Sequence, residues 1–161
     1  MQLTHLFNMQ RELDSFIQGN REVHTDVFHE KGLALLVELA ELANETRCFK
    51  FWSTKGPSDA QVIIEEYVDS IHFLLSLGIE KEFDSLEFWP VGKVSGSLTE
   101  LFLRTTAVIN DFLNKLTLES YESVWIHYGA IANKLGFTNE EIISAYIGKN
   151  EENYNRQIKG Y

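Results

Sequence analysis

Two short acidic motifs carry the chemistry of this chain. Glu38-x-x-Glu41 and Glu66-x-x-Asp69 each place two carboxylates three residues apart. On a helix that spacing puts both side chains on one face. Each motif lies in a stretch of helical periodicity, and a break at Lys55-Gly56-Pro57-Ser58 separates the two stretches. The break lets the two helices pack antiparallel, so that all four carboxylates converge. Four hard oxygen donors with no thiolate among them suit Mg²⁺, with Mn²⁺ as a substitute, better than Zn²⁺.

An ordinary solvated face competes with this reading. Glu38, Glu41 and Glu45 fall in one narrow stripe at about 100° per residue, as an exposed face would. The apolar arc of that helix is nonetheless wide, and no Lys or Arg follows Glu38 or Glu41 by four residues. Glu66 is harder to dismiss. Val62, Phe73 and Leu77 share its side of the helix, and Tyr67, Val68, Ile71, Leu74 and Leu75 cover most of the rest. A carboxylate inside an apolar arc requires a cation, a hydrogen-bond network or a shifted pKa. His72 stands three residues after Asp69 on the same side, either bonded to Asp69 or in contact with a substrate. His5, His24, His29 and His127 show no ligand spacing and read as structural or surface residues.

The elements that must position these groups are helices. Apolar periodicity predicts a first helix ending near Gly19-Asn20, a second from about Glu30 to Phe49, and a third capped by Ser58 and ended by Gly78. Residues 80–97, with Pro90, Gly92 and Gly96, read as a long connection. Helices follow over about 98–116, 120–135 and 138–155. Gly136 is a stop signal, and Thr138 with Glu141 forms a capping box. The result is one all-α domain over residues 1–161, a bundle of five or six helices.

Composition narrows the function. The chain has 161 residues, enough for one domain with a real core. Its formal net charge of −10 argues against direct nucleic-acid binding or attraction to an anionic membrane. The single cysteine, Cys48, forbids an intramolecular disulfide and suits a reducing cytoplasm. Residues 1–7 do not read as a signal peptide, and no apolar run reaches the roughly 18 residues of a membrane span.

Several longer strings resemble one family. Glu38-Leu39-Ala40-Glu41-Leu42-Ala43-Asn44-Glu45 with Phe49-Lys50-Phe51-Trp52-Ser53 is similar to the first metal motif of the dimeric, all-α dUTP diphosphatases. The string from Glu66 to Ser76 is similar to their second. Ala145-Tyr146, Lys149 to Asn153, Arg156-Gln157 and Gly160-Tyr161 resemble their phosphate-binding C-terminal motif. Gln10 to Asp14 resembles their base-recognition helix, although some members carry Asn where this chain has Asp14. The acidic pattern alone is shared with the wider MazG-like, all-α NTP pyrophosphatases.

The resemblance implies Mg²⁺-dependent hydrolysis of dUTP to dUMP and pyrophosphate, which keeps uracil out of DNA and supplies dUMP. It implies metal ligation by Glu38, Glu41, Glu66 and Asp69. A glutamate of the first motif, Glu38 in preference to Glu41, would deprotonate a water that attacks the β-phosphorus. Lys149, Asn153 and Arg156 share a helical face and would hold phosphates, unless they are simply a solvated helix end. Gln10 and Asp14 would meet the base, Phe73 would stack on it, Trp52 would cover it, Lys50 would reach a phosphate, and His72 would touch the substrate. Core packing is the competing reading for the aromatics, Tyr67 above all. A homodimer is implied, with dUDP a further candidate substrate. Phe88, Trp89 and Trp125 offer apolar surface for a second copy.

Other readings separate by cheap observations. A diphosphatase of the same fold with another preference, such as dCTP or a damaged base, differs by substrate profile. A di-iron carboxylate bundle needs Glu-x-x-His motifs, which these helices lack, Asp69-x-x-His72 being the only similar element. An acidic helical module that docks a basic partner would turn over no nucleotide, and an acidic dUTPase could also bind a protein regulator.

Overall fold

The computed structural model describes residues 1–22 and 25–160, so the readings placed on His24 and Tyr161 lie outside the described residues. Among the described residues there are six helices and no strand. They are α1 (Thr4–Asn20), α2 (Phe28–Thr46), α3 (Ala60–Glu80), α4 (Leu98–Lys115), α5 (Leu118–Leu135) and α6 (Asn139–Ile158). The all-α bundle expected from the periodicity is present. Among the described residues no helix is long and apolar enough to cross a membrane.

α3 is the centre of the fold because its sequence is apolar nearly all round. Ile63, Ile64, Tyr67, Val68, Ile71, Leu74, Leu75 and Leu77 are all buried. α1, α2 and α6 pack against it. α4 and α5 pair with each other, and α4 also leans on α2. Two buried tyrosines tie α3 to α5. Tyr67 donates to the carbonyl of Tyr128 at 2.9 Å, and Tyr121 donates to the carbonyl of Leu74 at 2.8 Å. Each such bond is worth about 1 kcal/mol net, and losing one partner would leave a buried polar group unmatched.

The antiparallel arrangement of α2 and α3 is fixed at both ends. Near the start of α2, Lys31 pairs with Glu80 at the end of α3. Near the end of α2, Glu45 accepts from the Ser58 hydroxyl, and its carbonyl accepts from the Ser58 N–H at 3.0 Å. This contact corrects the expected cap of α3. Ser58 is engaged by Glu45, and the cap position falls to Asp59, whose side chain makes no capping bond. The expected stop at Gly78 is also corrected. α3 runs on to Glu80, and Gly78 lies inside it because a Cβ there would collide with the Tyr121 hydroxyl.

The remaining boundaries follow local chemistry. Ser97 with Glu100, Thr117 with Ser120, and Thr138 with Glu141 form reciprocal capping boxes at α4, α5 and α6. Arg47, Leu116 and Gly136 adopt left-handed backbone to end α2, α4 and α5.

The segment over residues 81–97 is not a loose connection. Leu3 N–H donates to the Glu87 carbonyl at 2.7 Å, and Trp89 N–H donates to the Met1 carbonyl at 2.8 Å. The Trp89 indole donates to the Trp125 carbonyl at 2.8 Å and lies edge-on to that ring. Trp125 is fully buried and Trp89 half-buried. Both are therefore core anchors of this chain, a correction to the expectation that they offer surface to a second copy. Phe88 remains 60% exposed.

Candidate active site

α2 and α3 bring three of the four expected carboxylates together, and Glu41 is not in the cluster. Ligand oxygens of Glu38, Glu66 and Asp69 all lie within 4.8 Å of one another. Glu41 is more exposed and stands beside Glu38, adding to the negative charge that Glu38 experiences. Burial and the neighbouring Asp69, Glu41 and Glu66 push the Glu38 carboxyl up to about 8. Glu66 and Asp69 are also raised, in each case mainly by burial. Carboxylates crowded this closely resist sharing full charge, and a divalent cation is the ligand that relieves the crowding. The donors are all hard oxygens, as Mg²⁺ or Mn²⁺ prefers.

α6 supplies positive charge to the same place. Lys149 Nζ lies 2.9 Å from Asp69 Oδ2. Lys149 also approaches Glu152 at 3.7 Å, and Arg156 binds Glu152 at 2.6 Å. The cationic strip of Lys149, Asn153 and Arg156 is thus partly compensated by its own helix. Its proximity to Asp69 nevertheless distinguishes it from a solvated helix end.

A cleft of about 330 Å³ opens beside the carboxylates. Gln10, Asp14, Glu38, Asp69, His72, Phe73, Lys149, Asn153 and Arg156 all line it, so nine of the sequence-predicted site residues from four helices share one wall or another. One side is acidic and cationic. The other is apolar with a few polar groups, from Leu13, Ile17, Val27 and Phe73. Such a composition fits a ligand with a polyanionic end and a flat, partly apolar end.

The polar groups at the apolar end form one network. Gln10 is 3% exposed. Its Nε2 donates to Asp14 Oδ1 at 2.8 Å. Its Oε1 accepts from the Tyr146 hydroxyl at 2.8 Å and lies 2.7 Å from His72 Nδ1. Asp14 Oδ2 accepts from Ser76, and Lys31 stands 3.8 Å from the same oxygen. Burial raises the Asp14 carboxyl above the usual range, against the pull of Ser76, Lys31 and Gln10. His72 is bonded to Gln10 and stacked on Tyr146, with ring centroids 4.2 Å apart. The simple expectation of a His72–Asp69 bond is therefore replaced by a bond to α1. Burial, with Lys149 nearby, drives the His72 imidazole down to about 3, so the ring is neutral.

Four predicted residues are not on the cleft wall: Glu41 and Glu66, which belong to the acidic motifs beside it, and Lys50 and Trp52 of the loop between α2 and α3. Trp52 is 65% exposed and packs edge-on to Phe49 and Phe51. Lys50 lies over the Phe49 ring at 5.7 Å. Of the minor histidines, His5 and His29 are exposed, and His127 is bonded through Nδ1 to the Ser123 carbonyl at 2.7 Å. Tyr67 is core, as its packing suggests.

Three cleft-associated residues escaped the sequence reading. Lys31 lies seven residues before Glu38 and therefore on the same stripe of α2. Ser76 lies four after His72 on α3. Both spacings are visible in the sequence, but their shared partner Asp14 is on another helix. Tyr146 belongs to the tail segment that resembles a phosphate site, yet its hydroxyl serves Gln10.

A family model described as dUTPase matches residues 2–161, nearly the whole chain. Among curated proteins nothing matches the chain.

Proposed function

The chain belongs to the dUTPase family and is a dUTP diphosphatase, and from that premise we propose how its residues perform the reaction. The observation that carries the proposal is the convergence of Glu38, Glu66 and Asp69 beside a cleft lined by Glu38 and Asp69 together with Gln10, His72, Phe73 and Lys149. Glu38, Glu41, Glu66 and Asp69 would hold Mg²⁺, for which Mn²⁺ would substitute, and a cation held there would supply neutralisation of triphosphate charge and a more acidic water.

The protein's own groups divide the remaining work. Glu38, in the acidic cluster and on the cleft wall, takes the proton from the attacking water. Glu41 assists from the exposed side of the same helix. The water attacks the β-phosphorus, and the bond from that phosphorus to the oxygen of the α-phosphate breaks. The products are dUMP and pyrophosphate. Lys149 and Arg156 offset the charge on the β- and γ-phosphates under attack and on the α-phosphate oxygen that leaves with dUMP, and Asn153 orients the phosphates through hydrogen bonds. Gln10, Asp14 and His72 meet the polar edge of uracil or the sugar, and Phe73 stacks on the ring. Lys50 and Trp52 act from the exposed loop between α2 and α3 as a phosphate contact and a cover for the base.

The domain works as a cytoplasmic homodimer over residues 1–161. The test is pyrophosphate release from dUTP, dCTP, dTTP, dATP, dGTP and UTP, with and without Mg²⁺, beside a Glu66→Gln variant. Turnover confined to dUTP, dependent on Mg²⁺ and lost in the variant, is the expected result. Preference for dCTP would keep the mechanism and replace the substrate. Full activity in Glu66→Gln would remove the acidic centre from the mechanism.

A further inference from the structure

Tyr146 is fully buried on α6, behind the cleft rather than on its wall. Its hydroxyl has two acceptors in reach, Gln10 Oε1 at 2.8 Å and the Leu6 carbonyl at 3.5 Å. The shorter contact is the real bond. Gln10 Oε1 lies also 2.7 Å from His72 Nδ1. Asp14 fixes which way the amide points: its Oδ2 accepts from Ser76 and faces Lys31, so the carboxylate acts as an acceptor and the Gln10 atom 2.8 Å from Oδ1 is the N–H₂. A flipped amide would set oxygen against oxygen at that distance. With Nε2 on Asp14, Oε1 receives both the Tyr146 O–H and the His72 Nδ1–H. His72 Nδ1 therefore carries the proton of the neutral ring, and Nε2 is a bare acceptor. That Nε2 is buried and has no hydrogen-bond partner.

We infer that Tyr146 is a positioning residue for base selection: its hydroxyl, opposite Asp14, locks the Gln10 amide so that the cleft offers an N–H from Gln10 and a bare acceptor on His72. The inference rests on the reading of the cleft as a dUTP site and adds how the base is chosen. With its oxygen already saturated by two donors, Gln10 can greet a base only through its second N–H. A ring carbonyl accepts from that N–H, whereas the exocyclic amine of cytosine meets it donor against donor. The ring N3–H of uracil is the donor that His72 Nε2 lacks, and cytosine has no hydrogen there. A site built this way rejects the wrong base because its buried polar groups stay unpaired.

Tyr146→Phe tests this, since it removes only the hydroxyl and keeps the ring that stacks on His72. Without the hydroxyl, the Gln10 amide is held by Asp14 and His72 alone and its Oε1 regains a free acceptor site, so kcat/KM for dUTP falls about tenfold through KM, the worth of one well-placed hydrogen bond. kcat stays within about twofold, kcat/KM for dCTP does not fall, and the preference for dUTP over dCTP drops about tenfold. Equal losses for the two nucleotides, or a loss confined to kcat, would overturn the inference. The ¹⁵N chemical shifts of His72 in the unmodified protein give a second readout. A neutral ring protonated at Nδ1 is expected, and an Nε2–H ring or an imidazolium at neutral pH would overturn the inference even if Tyr146→Phe failed to fold. Absence of dUTP turnover by the unmodified protein would instead remove the functional reading, and the selectivity role with it.

Discussion

The ammonium of Lys149 sits 2.9 Å from Asp69 Oδ2, although one belongs to the cationic strip of α6 and the other to the carboxylate cluster of α3. Lys149 raises no barrier to burial of Asp69, and in fact it opposes the upward shift that burial imposes on that carboxyl. The pair links the two halves of the proposed chemistry. The same ammonium that quiets Asp69 in the free protein is the group proposed to meet phosphate. Binding a divalent cation at Asp69 must therefore compete with Lys149, while binding a triphosphate recruits it.

Lys149→Met should separate these two effects. Without the competing ammonium, Mn²⁺ binding in the absence of nucleotide tightens several-fold, as calorimetry or paramagnetic resonance would record. With dUTP, the phosphate contact is lost and kcat/KM falls by about 100-fold, the scale of a charge-assisted contact of roughly 3 kcal/mol. Weaker Mn²⁺ binding together with unchanged kinetics would show that Lys149 is only a structural partner of Asp69.

Glu66→Gln should trade function for stability. The three carboxylates repel one another, and replacing one by a neutral isostere relieves the crowding. The metal-free variant should melt a few degrees higher, with about 1 kcal/mol corresponding to roughly 2–4 °C in a chain of this size. Mg²⁺-dependent turnover should fall by at least about 100-fold, since a ligand to the cation is gone. Scanning calorimetry without metal, run beside the activity assay, distinguishes this from simple damage to the fold.

The pH dependence of the free protein follows from Glu38. Its carboxyl is raised from an ordinary value near 4.5 to about 8 in the folded state. Between those values the native state holds a proton that the unfolded state has released. The contribution of this group is therefore fully present below about pH 4.5 and is lost as pH rises through 8. Thermal melts without metal should show stability declining between about pH 4.5 and about 8 relative to a Glu38→Gln control, whose curve is flatter. Mg²⁺ should reverse the decline and release protons on binding, seen as a heat that depends on the buffer. A metal-free protein whose stability rises across this window relative to that control would contradict the raised value.

Where the sequence was readable and where it was not has a physical pattern. The meeting of Glu38, Glu66 and Asp69 was legible because helical spacing alone fixes which face each occupies, and the short break between the helices leaves few ways to pack them. Thr138 with Glu141, and Gly136, were legible because caps act within one turn. Ser58 was misread for the same local logic: its hydroxyl is taken by Glu45, thirteen residues away and on another helix. Trp125 looked like spare surface because its burial depends on Trp89 folding back from the 81–97 segment. The arrangement around Gln10 was out of reach, since its partners come from α3 and α6 and only the packed bundle makes them neighbours. Lys50 and Trp52 matched a motif in the string, but matching a motif says nothing of whether the loop lies against the cleft.

Gly78 gives a prediction that tests the fold away from the chemistry. The residue looks like a helix stop, yet α3 continues past it to Glu80. Its role is to let Tyr121 of α5 lie against the helix backbone. That approach leaves no room for a side chain: a Cβ at this position would overlap the Tyr121 hydroxyl and meet the ring carbon that bears it at 2.6 Å. Tyr121 cannot simply swing aside, because it is fully buried, donates to the Leu74 carbonyl at 2.8 Å and packs on Phe83, Phe112 and Trp125. Alanine is the better helix former by about 1 kcal/mol, so propensity alone predicts that Gly78→Ala stabilises the protein. The clash and the broken hydrogen bond oppose this, at about 1–3 kcal/mol for overpacking and about 1–3 kcal/mol for an unmatched buried carbonyl. The net expectation is a loss of about 2–4 kcal/mol in urea unfolding, with an unchanged slope. Gly78→Ala combined with Tyr121→Phe should recover part of the loss, because the phenyl ring lacks the oxygen that makes the closest contact. An alanine variant as stable as the parent would mean that α5 sits farther from α3 than this packing requires.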